Sequence, residues 1–347
     1  MAREKVIGSG SSGDDSHKHD AALRPKLLKE VIGQRKVAER LEIAVRASKK
    51  LNEPLGHILF DGPPGLGKTT FATVLPNELG TSIQLTSGPA LSKPADLLPF
   101  LTNLDEGSVL FIDEIHRMPR IVEEFIYPAM EDFRIDIVLG EGMSARTISM
   151  NLKRFTLIGA TTRSGMLSGP MRDRFKMHEH LEFYSVEELA TIVRVNAAKL
   201  NTPITPEAAH ELARRSRGTP RVANSRLHWT RNYSAAEHDG PITEPIARAA
   251  LDMAEVDRDG LDKNDRKYLE TLIDLYAGGP TGVEALAATI NLASDTLADE
   301  IEPYLLREQY ITRSPRGRVA MPRAYIALGK LAPKPKTEDK QGGSLFD

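Results

Sequence analysis

The chain has 347 residues, of which 40% are hydrophobic and 27% charged, and its 46 Lys and Arg against 48 Asp and Glu leave a formal charge of -2. That length holds two or three domains with real cores, and the low aromatic content of 5% makes those cores aliphatic. Cys is absent, which excludes disulfide scaffolds and thiolate metal sites, and no apolar run reaches the ~18–20 residues of a membrane span.

Residues 1–20, "MAREKVIGSGSSGDDSHKHD", have nothing like the apolar segment of a secretory signal and little to bury. They read as a disordered tail in which His17 and His19 are solvated, and the expected location is the cytoplasm. From 21 to 183, helical patterns alternate with the apolar runs "HILF", "SVLFID" and "FTLIGATT", each closed by a polar or Gly-rich turn. Such runs suit strands buried on both faces of a parallel sheet, and helices between them make an α/β fold. Strand signals fade over 184–256, where "SVEELATIVRVNAAKL" starts with a Ser185–Glu188 capping box and two more helices flank Gly218-Thr219-Pro220. A small all-helical domain is expected there. Over 257–332 the pattern predicts three short helices and then two strands around a tight turn. The segment 333–347 has the character of a second disordered tail.

The strongest motif is "GPPGLGKTT" at 62–70, which matches G-x-x-x-x-G-K-[ST] between a strand and a helix. Gly62, Gly65 and Gly67 let backbone N–H groups converge on a polyphosphate. Lys68 is placed for the β- and γ-phosphates of ATP, and Thr69 for Mg²⁺. In "VLFIDEIH" a strand delivers Asp113, suited to hold Mg²⁺ through water, and Glu114, suited to polarise a water for in-line attack. The strand "FTLIGATT" ends in Thr161 and Thr162, either of which could orient that water. "SGPMRDRF" then offers Arg172 and Arg174, and "GTPR" puts Arg221 at a helix start. Finally, "YITRSPRGRVAMPRAY" at 310–325 gathers Arg313, Arg316, Arg318 and Arg323 with no acidic residue among them.

In this order the words resemble the AAA+ ATPases, and more narrowly the RuvB family, the bacterial motors of Holliday junction branch migration. The resemblance is carried by "LRPKLLKEVIGQ", "GPPGLGKTT", "FIDEIHR", "AMEDFRIDIVLGEGMSARTI", "RFTLIGATTR", "RDRF", "GTPRVAN" and "RSPRGR", and spans about 20–332. It implies an AAA+ P-loop domain with a parallel sheet over 21–183, a helical lid over 184–256 and a winged-helix DNA-binding domain over 257–332.

The same resemblance implies roles for matching positions. Leu23, Arg24 and Tyr184 would line the adenine side. Gly65, Lys68, Thr69 and Thr70 would hold phosphates and Mg²⁺, and Thr162 would be the sensor of the γ-phosphate. Glu131, Asp132 and Phe133 would lie at the nucleotide edge between subunits of a homo-hexamer. Arg174 would act in trans as a finger, and Arg221 in cis. A hairpin over about 135–148 would dock a RuvA-like junction-binding protein; read alone, its strand-turn-strand pattern demands only some cover, from a partner or from the protein itself. Arg313 and Arg318, facing outward on the wing, would contact double-stranded DNA at a Holliday junction, and the assembly admits a RuvC-like resolvase. The helix "VANSRLHWTRNYS" departs from the family pattern at Ser225, His228 and Trp229. Two rivals are a clamp-loader-type AAA+ remodeller, which gives no reason for the basic wing, and a nucleotide-regulated DNA-binding switch, which gives none for Glu114.

Overall fold

A computed structural model describes residues 23–139 and 146–332. The expected tails, with His17 and His19, and the Gly-Glu-Gly turn of the hairpin lie outside the described residues. The chain divides into two compact units, Met1–Ala254 and Glu255–Asp347. Among the described residues no helix is long and apolar enough to cross a membrane.

In the first unit α1 (Arg35–Leu51) precedes β1 (Ile58–Asp61), and the phosphate-loop motif leads from β1 into α2 (Lys68–Leu79). There follow β2 (Ile83–Ser87), α3 (Pro94–Thr102), β3 (Val109–Asp113), α4 (Arg120–Glu131), the antiparallel pair β4 (Arg134–Leu139) and β5 (Arg146–Asn151), then β6 (Thr156–Thr161), α5 (Gly169–Asp173) and β7 (Met177–His180). The sheet runs β2-β3-β6-β1-β7 with every pairing parallel. The three runs expected as strands, in β1, β3 and β6, form its centre, and Leu59, Leu110, Ile112 and Leu157 join the core beneath α4. Each such buried aliphatic contributes ~1.5–3 kcal/mol. The edge strands β2 ("IQLTS") and β7 ("MHEH") gave no apolar run to read, because they bury little along most of their length.

Four helices complete this unit: α6 (Val186–Lys199), α7 (Pro206–Arg214), α8 (Pro220–Glu237) and α9 (Glu244–Met253). The expected capping box is formed: Ser185 Oγ accepts from Glu188 N at 3.1 Å, and Glu188 Oε2 accepts from Ser185 N at 2.9 Å. The atypical Trp229 has a packing role, since its indole Nε1 donates to the Ala250 carbonyl at 2.6 Å and ties α8 to α9.

The second unit holds α10 (Lys263–Glu270), which passes into a π turn at Thr271–Leu275, and α11 (Val283–Ile290). Next come α12 (Ser294–Thr296), a π turn at Leu297–Ile301 and α13 (Glu302–Arg307), then the hairpin β8 (Ile311–Ser314) and β9 (Gly317–Ala320). This is the expected succession of helices and wing. A closing helix, α14 (Pro322–Ala327), adds to that pattern; Pro322 at its first turn suits a helix start, and Ala324 and Tyr325 bury themselves in the core with Tyr268, Leu305 and Tyr310.

One close approach links the sheet to the loop after β3. A Cβ at Gly88, just past β2, would lie 2.3 Å from the Glu114 carbonyl oxygen and 3.0 Å from Met118 N. Both are backbone atoms and cannot swing aside. Gly88→Ala is therefore expected to destabilise the fold by ~1–3 kcal/mol, read as a lower midpoint in urea denaturation. An unchanged midpoint would mean that the loop after β3 yields freely.

Candidate active site

The order β3-β6-β1 sets the carboxyl ends of three strands side by side, and each end delivers part of one polar cluster. After β1 the chain turns at Gly62, whose φ of 136° only glycine adopts readily and where a Cβ would meet the Leu181 carbonyl oxygen at 2.6 Å. Lys68 then begins α2 and folds its buried side chain back, donating to the carbonyls of Gly62 at 2.7 Å and Pro63 at 2.9 Å. Burial pulls its pKa below the usual lysine range, while the nearby Glu114, Asp113 and Asp61 oppose that shift.

Thr69 Oγ1 lies 3.5 Å from Asp113 Oδ2 at the end of β3, and Asp113 Oδ1 accepts from Glu114 N at 2.9 Å. Glu114 has a φ of 46°, a left-handed backbone that turns its carboxylate toward the end of β6. There Thr162 Oγ1 donates to Glu114 Oε2 at 3.2 Å. The two adjacent threonines are thereby distinguished. Thr161 is buried, its Oγ1 accepting from Arg163 N at 3.0 Å and lying 2.9 Å from His116 Nδ1. His116 Nδ1 also lies 3.2 Å from Glu114 Oε2. Sequence reasoning over "FIDEIHR" gives His116 no role; its signal is its place two residues after Glu114.

On the other side of the loop, an apolar recess is lined by Leu23, Arg24, Val31, Thr70, Tyr184 and Ile192, among others. Tyr184 is fixed from two directions, its hydroxyl donating to the Leu66 carbonyl at 3.2 Å and its N–H to the Gly218 carbonyl at 2.9 Å. Burial pushes its phenol well above the ordinary range. Asn196 and Lys199 line the same recess without a prior sequence signal, and Lys199 Nζ donates to the Leu23 carbonyl at 2.8 Å. Arg221 N donates to the Gly65 carbonyl at 3.3 Å, so the start of α8 touches the phosphate loop itself.

Arg174 belongs to a different cluster. Its Nη1 donates to the Pro170 carbonyl at 2.6 Å, its Nη2 pairs with Glu131 Oε1 at 3.0 Å, and its guanidinium lies 4.0 Å from the centre of the Tyr127 ring. Tyr127 is held in turn by Ser168, at 3.0 Å, and Ser168 by Glu123. Arg174, Glu131 and Phe133 line a polar cavity with His57, and neither Lys68 nor Asp113 borders it. His57 is buried and its pKa is lowered by that burial; Leu157 N donates to its Nδ1 at 2.8 Å, so Nε2 carries the proton toward the Met130 carbonyl. Asp132 meets Arg134 at 3.5 Å. Arg172 forms no described bond with Lys68 or Glu114.

The two strands of the hairpin pair antiparallel, with Ile135 opposite Met150 and Ile137 opposite Ile148. Ile135 is buried in the core, whereas Ile148 is 52% exposed, so the apolar face of the hairpin runs off the edge of its own support. On the wing, Arg316 faces outward as expected, but Arg313 and Arg318 turn back to Glu302.

A phosphate loop, an acidic pair on the neighbouring strand but one and a polar residue on the strand between them define a P-loop ATPase, and the helical lid with Arg221 against the loop places it in the AAA+ class. Family models extend this along the chain. Residues 23–181 match the Holliday junction DNA helicase RuvB P-loop domain, 184–257 the RuvB AAA lid domain, and 258–329 the RuvB C-terminal winged helix domain. The chain is 55% identical over 314 residues, 90% of its length and 86% of the relative's, to the Holliday junction branch migration complex subunit RuvB of Rhodopirellula baltica. Among solved structures it is similar to the RuvB Holliday junction branch migration motor of Thermotoga maritima, with a TM-score of 0.83, 43% identity, and 90% and 100% of the two chains covered. A point mutant of that protein matches with a TM-score of 0.84 and 44% identity over 89% and 100% of the chains. The chain belongs to the RuvB family of Holliday junction branch migration motors.

The two carbonyls that hold Lys68 are the partners a phosphate would replace. Lys68→Ala is expected to weaken ATP binding by ~1.5–3 kcal/mol, the worth of charge-assisted hydrogen bonds, in a titration with a fluorescent ATP analogue. Full retained affinity would mean that Lys68 serves only to brace the loop.

Proposed function

We propose that this chain splits ATP at the junction of two subunits and converts the cycle into movement of DNA through a Holliday junction. The observation that carries this reading is the meeting of Lys68, Thr69, Asp113, Glu114 and Thr162 on one polar edge, with Arg174 held apart on a cluster of its own. We take the three modules to divide near 183/184 and 256/257.

In the proposed cycle the base of ATP enters the recess between Leu23, Arg24 and Tyr184, and its phosphates lie along Gly65, Lys68 and Thr70. Lys68 exchanges the carbonyls of Gly62 and Pro63 for phosphate oxygens. Thr69 and Asp113 offer a hydroxyl and a carboxylate close together, the hard oxygen donors that suit Mg²⁺. These two residues would hold the ion, which supplies charge neutralisation on the polyphosphate. Glu114 accepts the proton of a water that Thr162 orients. The water oxygen bonds to the γ-phosphorus as the bond to the β-γ bridging oxygen breaks. Arg221, on the lid helix that touches the loop, reports the change in cis.

Arg174 acts on the ATP of a neighbouring subunit, in a ring that family resemblance makes a hexamer. Support comes from its partners Pro170, Glu131 and Tyr127, none of which belongs to the phosphate loop, and from the half-exposed carboxylate of Glu131, which can release it. Glu131, Asp132 and Phe133 would then border the neighbour's nucleotide. The hairpin's uncovered Ile148 supports docking of a RuvA-like junction-binding protein. Arg313 and Arg318 would contact DNA phosphates, which position a protein without reading sequence.

A finger of this kind is worth ~10³–10⁵ in rate, or ~4–7 kcal/mol. Arg174→Ala should lower turnover by about that factor while leaving ATP binding in place. Mixing it with Glu114→Gln subunits should restore activity, because a hybrid interface combines an intact Glu114 with an intact Arg174. A mixture as inactive as either parent would show that Arg174 does not act in trans. Arg313→Ala with Arg318→Ala should weaken binding to any duplex sequence and flatten its salt dependence, the log-log slope falling by ~0.9 for each phosphate no longer engaged.

A further inference from the structure

The wing arginines converge on a carboxylate that the sequence gives no reason to notice. Glu302, at the start of α13, is 0% exposed, yet its two oxygens accept five hydrogen bonds. Oε1 takes the Tyr268 hydroxyl at 3.1 Å and Arg318 Nε at 2.8 Å. Oε2 takes Arg313 Nε at 2.9 Å, Arg313 Nη2 at 2.5 Å and Arg318 Nη2 at 3.2 Å. Burial and the Glu302 charge push the Tyr268 phenol far above its ordinary range, so it remains a neutral donor.

We propose that Glu302 is a positioning residue for DNA binding: it locks Arg313 and Arg318, the cross-strand pair next to the turn of the wing, into one rigid phosphate-binding pair. The proposal rests on the reading that these two arginines contact DNA. Three observations favour locking over simple charge cancellation. First, each guanidinium gives Nε and Nη2 to Glu302, so neither Nη1 is used in these bonds. Second, a fully buried carboxylate cannot swing away to let a competing phosphate in, so a phosphate must meet the arginines from their outer side, where Arg313 is 48% exposed. Third, the backbone is fixed as well. Thr281 and Arg318 exchange N–H···O bonds of 3.0 and 2.8 Å, and a Cβ at Gly317 would lie 2.3 Å from the Thr281 carbonyl oxygen. Two positive groups on one negative group leave the trio with a net positive charge. Its long arginine side chains have already lost the rotamer freedom that binding would otherwise consume.

The test exploits a difference in sign. Glu302→Gln makes the wing more positive, so electrostatics alone predicts tighter binding to duplex DNA. Locking predicts weaker binding, with the dissociation constant raised on the order of tenfold, while ATP hydrolysis without DNA is unchanged. In the Arg313→Ala, Arg318→Ala background the same substitution should have no further effect on affinity, because the groups it acts through are gone. Tighter or unchanged binding of Glu302→Gln overturns the proposal, and so does an equal extra loss in the arginine-free background, which would mark a purely structural role. Should Glu302→Gln lower the melting temperature enough to unfold the wing unit, Tyr268→Phe takes its place. Losing one hydroxyl, it should weaken binding about two- to threefold only when both arginines are present, and unchanged affinity there overturns the proposal. If the double arginine variant binds DNA normally, the wing reading fails and the proposal with it. If it binds weakly while Glu302→Gln binds normally, Glu302 alone is excluded.

Discussion

Everything at the nucleotide site depends on the parallel sheet. Parallel strands bring all their carboxyl ends to one edge, and neighbouring strands are about 4.8 Å apart. Here β1, β6 and β3 are consecutive in the sheet though far apart in the chain. The phosphate loop, the Thr161-Thr162 pair and the Asp113-Glu114 pair therefore arrive together with no long side chain needed to bridge them. The register is consistent with this: Asp61 is level with Thr161, and Ile112, one residue before Asp113, is level with Gly159. A shift of one residue in any of the three would reverse which face its side chains occupy and dissolve the cluster.

The sheet also explains what was legible in the sequence. Central strands are buried on both faces and read as unbroken apolar runs, so β1, β3 and β6 were visible together with the motifs at their ends. The edge strands β2 and β7 bury little along most of their length, and nothing in "IQLTS" or "MHEH" separates them from a loop. The phosphate-loop residues were visible because their spacing is local. His116 was not, because its approach to Thr161 spans 45 positions. Glu302, only 11 and 16 positions before the arginines it pairs with, was invisible for another reason. It is one acidic residue among many in its segment, and only the fold brings it under Arg313 and Arg318.

The outward orientation expected of the wing arginines illustrates the limit of composition. Four arginines without an acidic neighbour in sequence imply an uncompensated charge. In three dimensions Arg313 and Arg318 share Glu302, and Arg323 pairs with Glu308, so Arg316 at the turn is the cation of the four with no ion pair described. The positive surface of the wing is thus smaller than the sequence suggests, and more rigid. For a motor that must grip DNA and let go, a small fixed cation pair is better suited than a flexible cluster, whose binding would cost more ordering and whose grip would be harder to place in step.

Three arginines proposed to act at two working surfaces are held by carboxylates, Arg174 by Glu131 and both Arg313 and Arg318 by Glu302, and the difference between those carboxylates bears on what each arginine can do. Glu131, paired with Arg174, is 55% exposed. Water can solvate it when the pair opens, so the loss of that ion pair costs little, about 0–1 kcal/mol, and what else holds Arg174, itself 20% exposed, is the neutral Pro170 carbonyl and the Tyr127 ring. Glu302 is wholly buried, and freeing its arginines would strand a charge without water, a loss of roughly 3–5 kcal/mol. An arginine meant to leave its own subunit and reach across to a neighbour's phosphate needs the first kind of partner. One meant to hold a constant geometry against a polyanion needs the second. Exposure of the partner, more than the length of the ion pair, separates a movable cation from a fixed one.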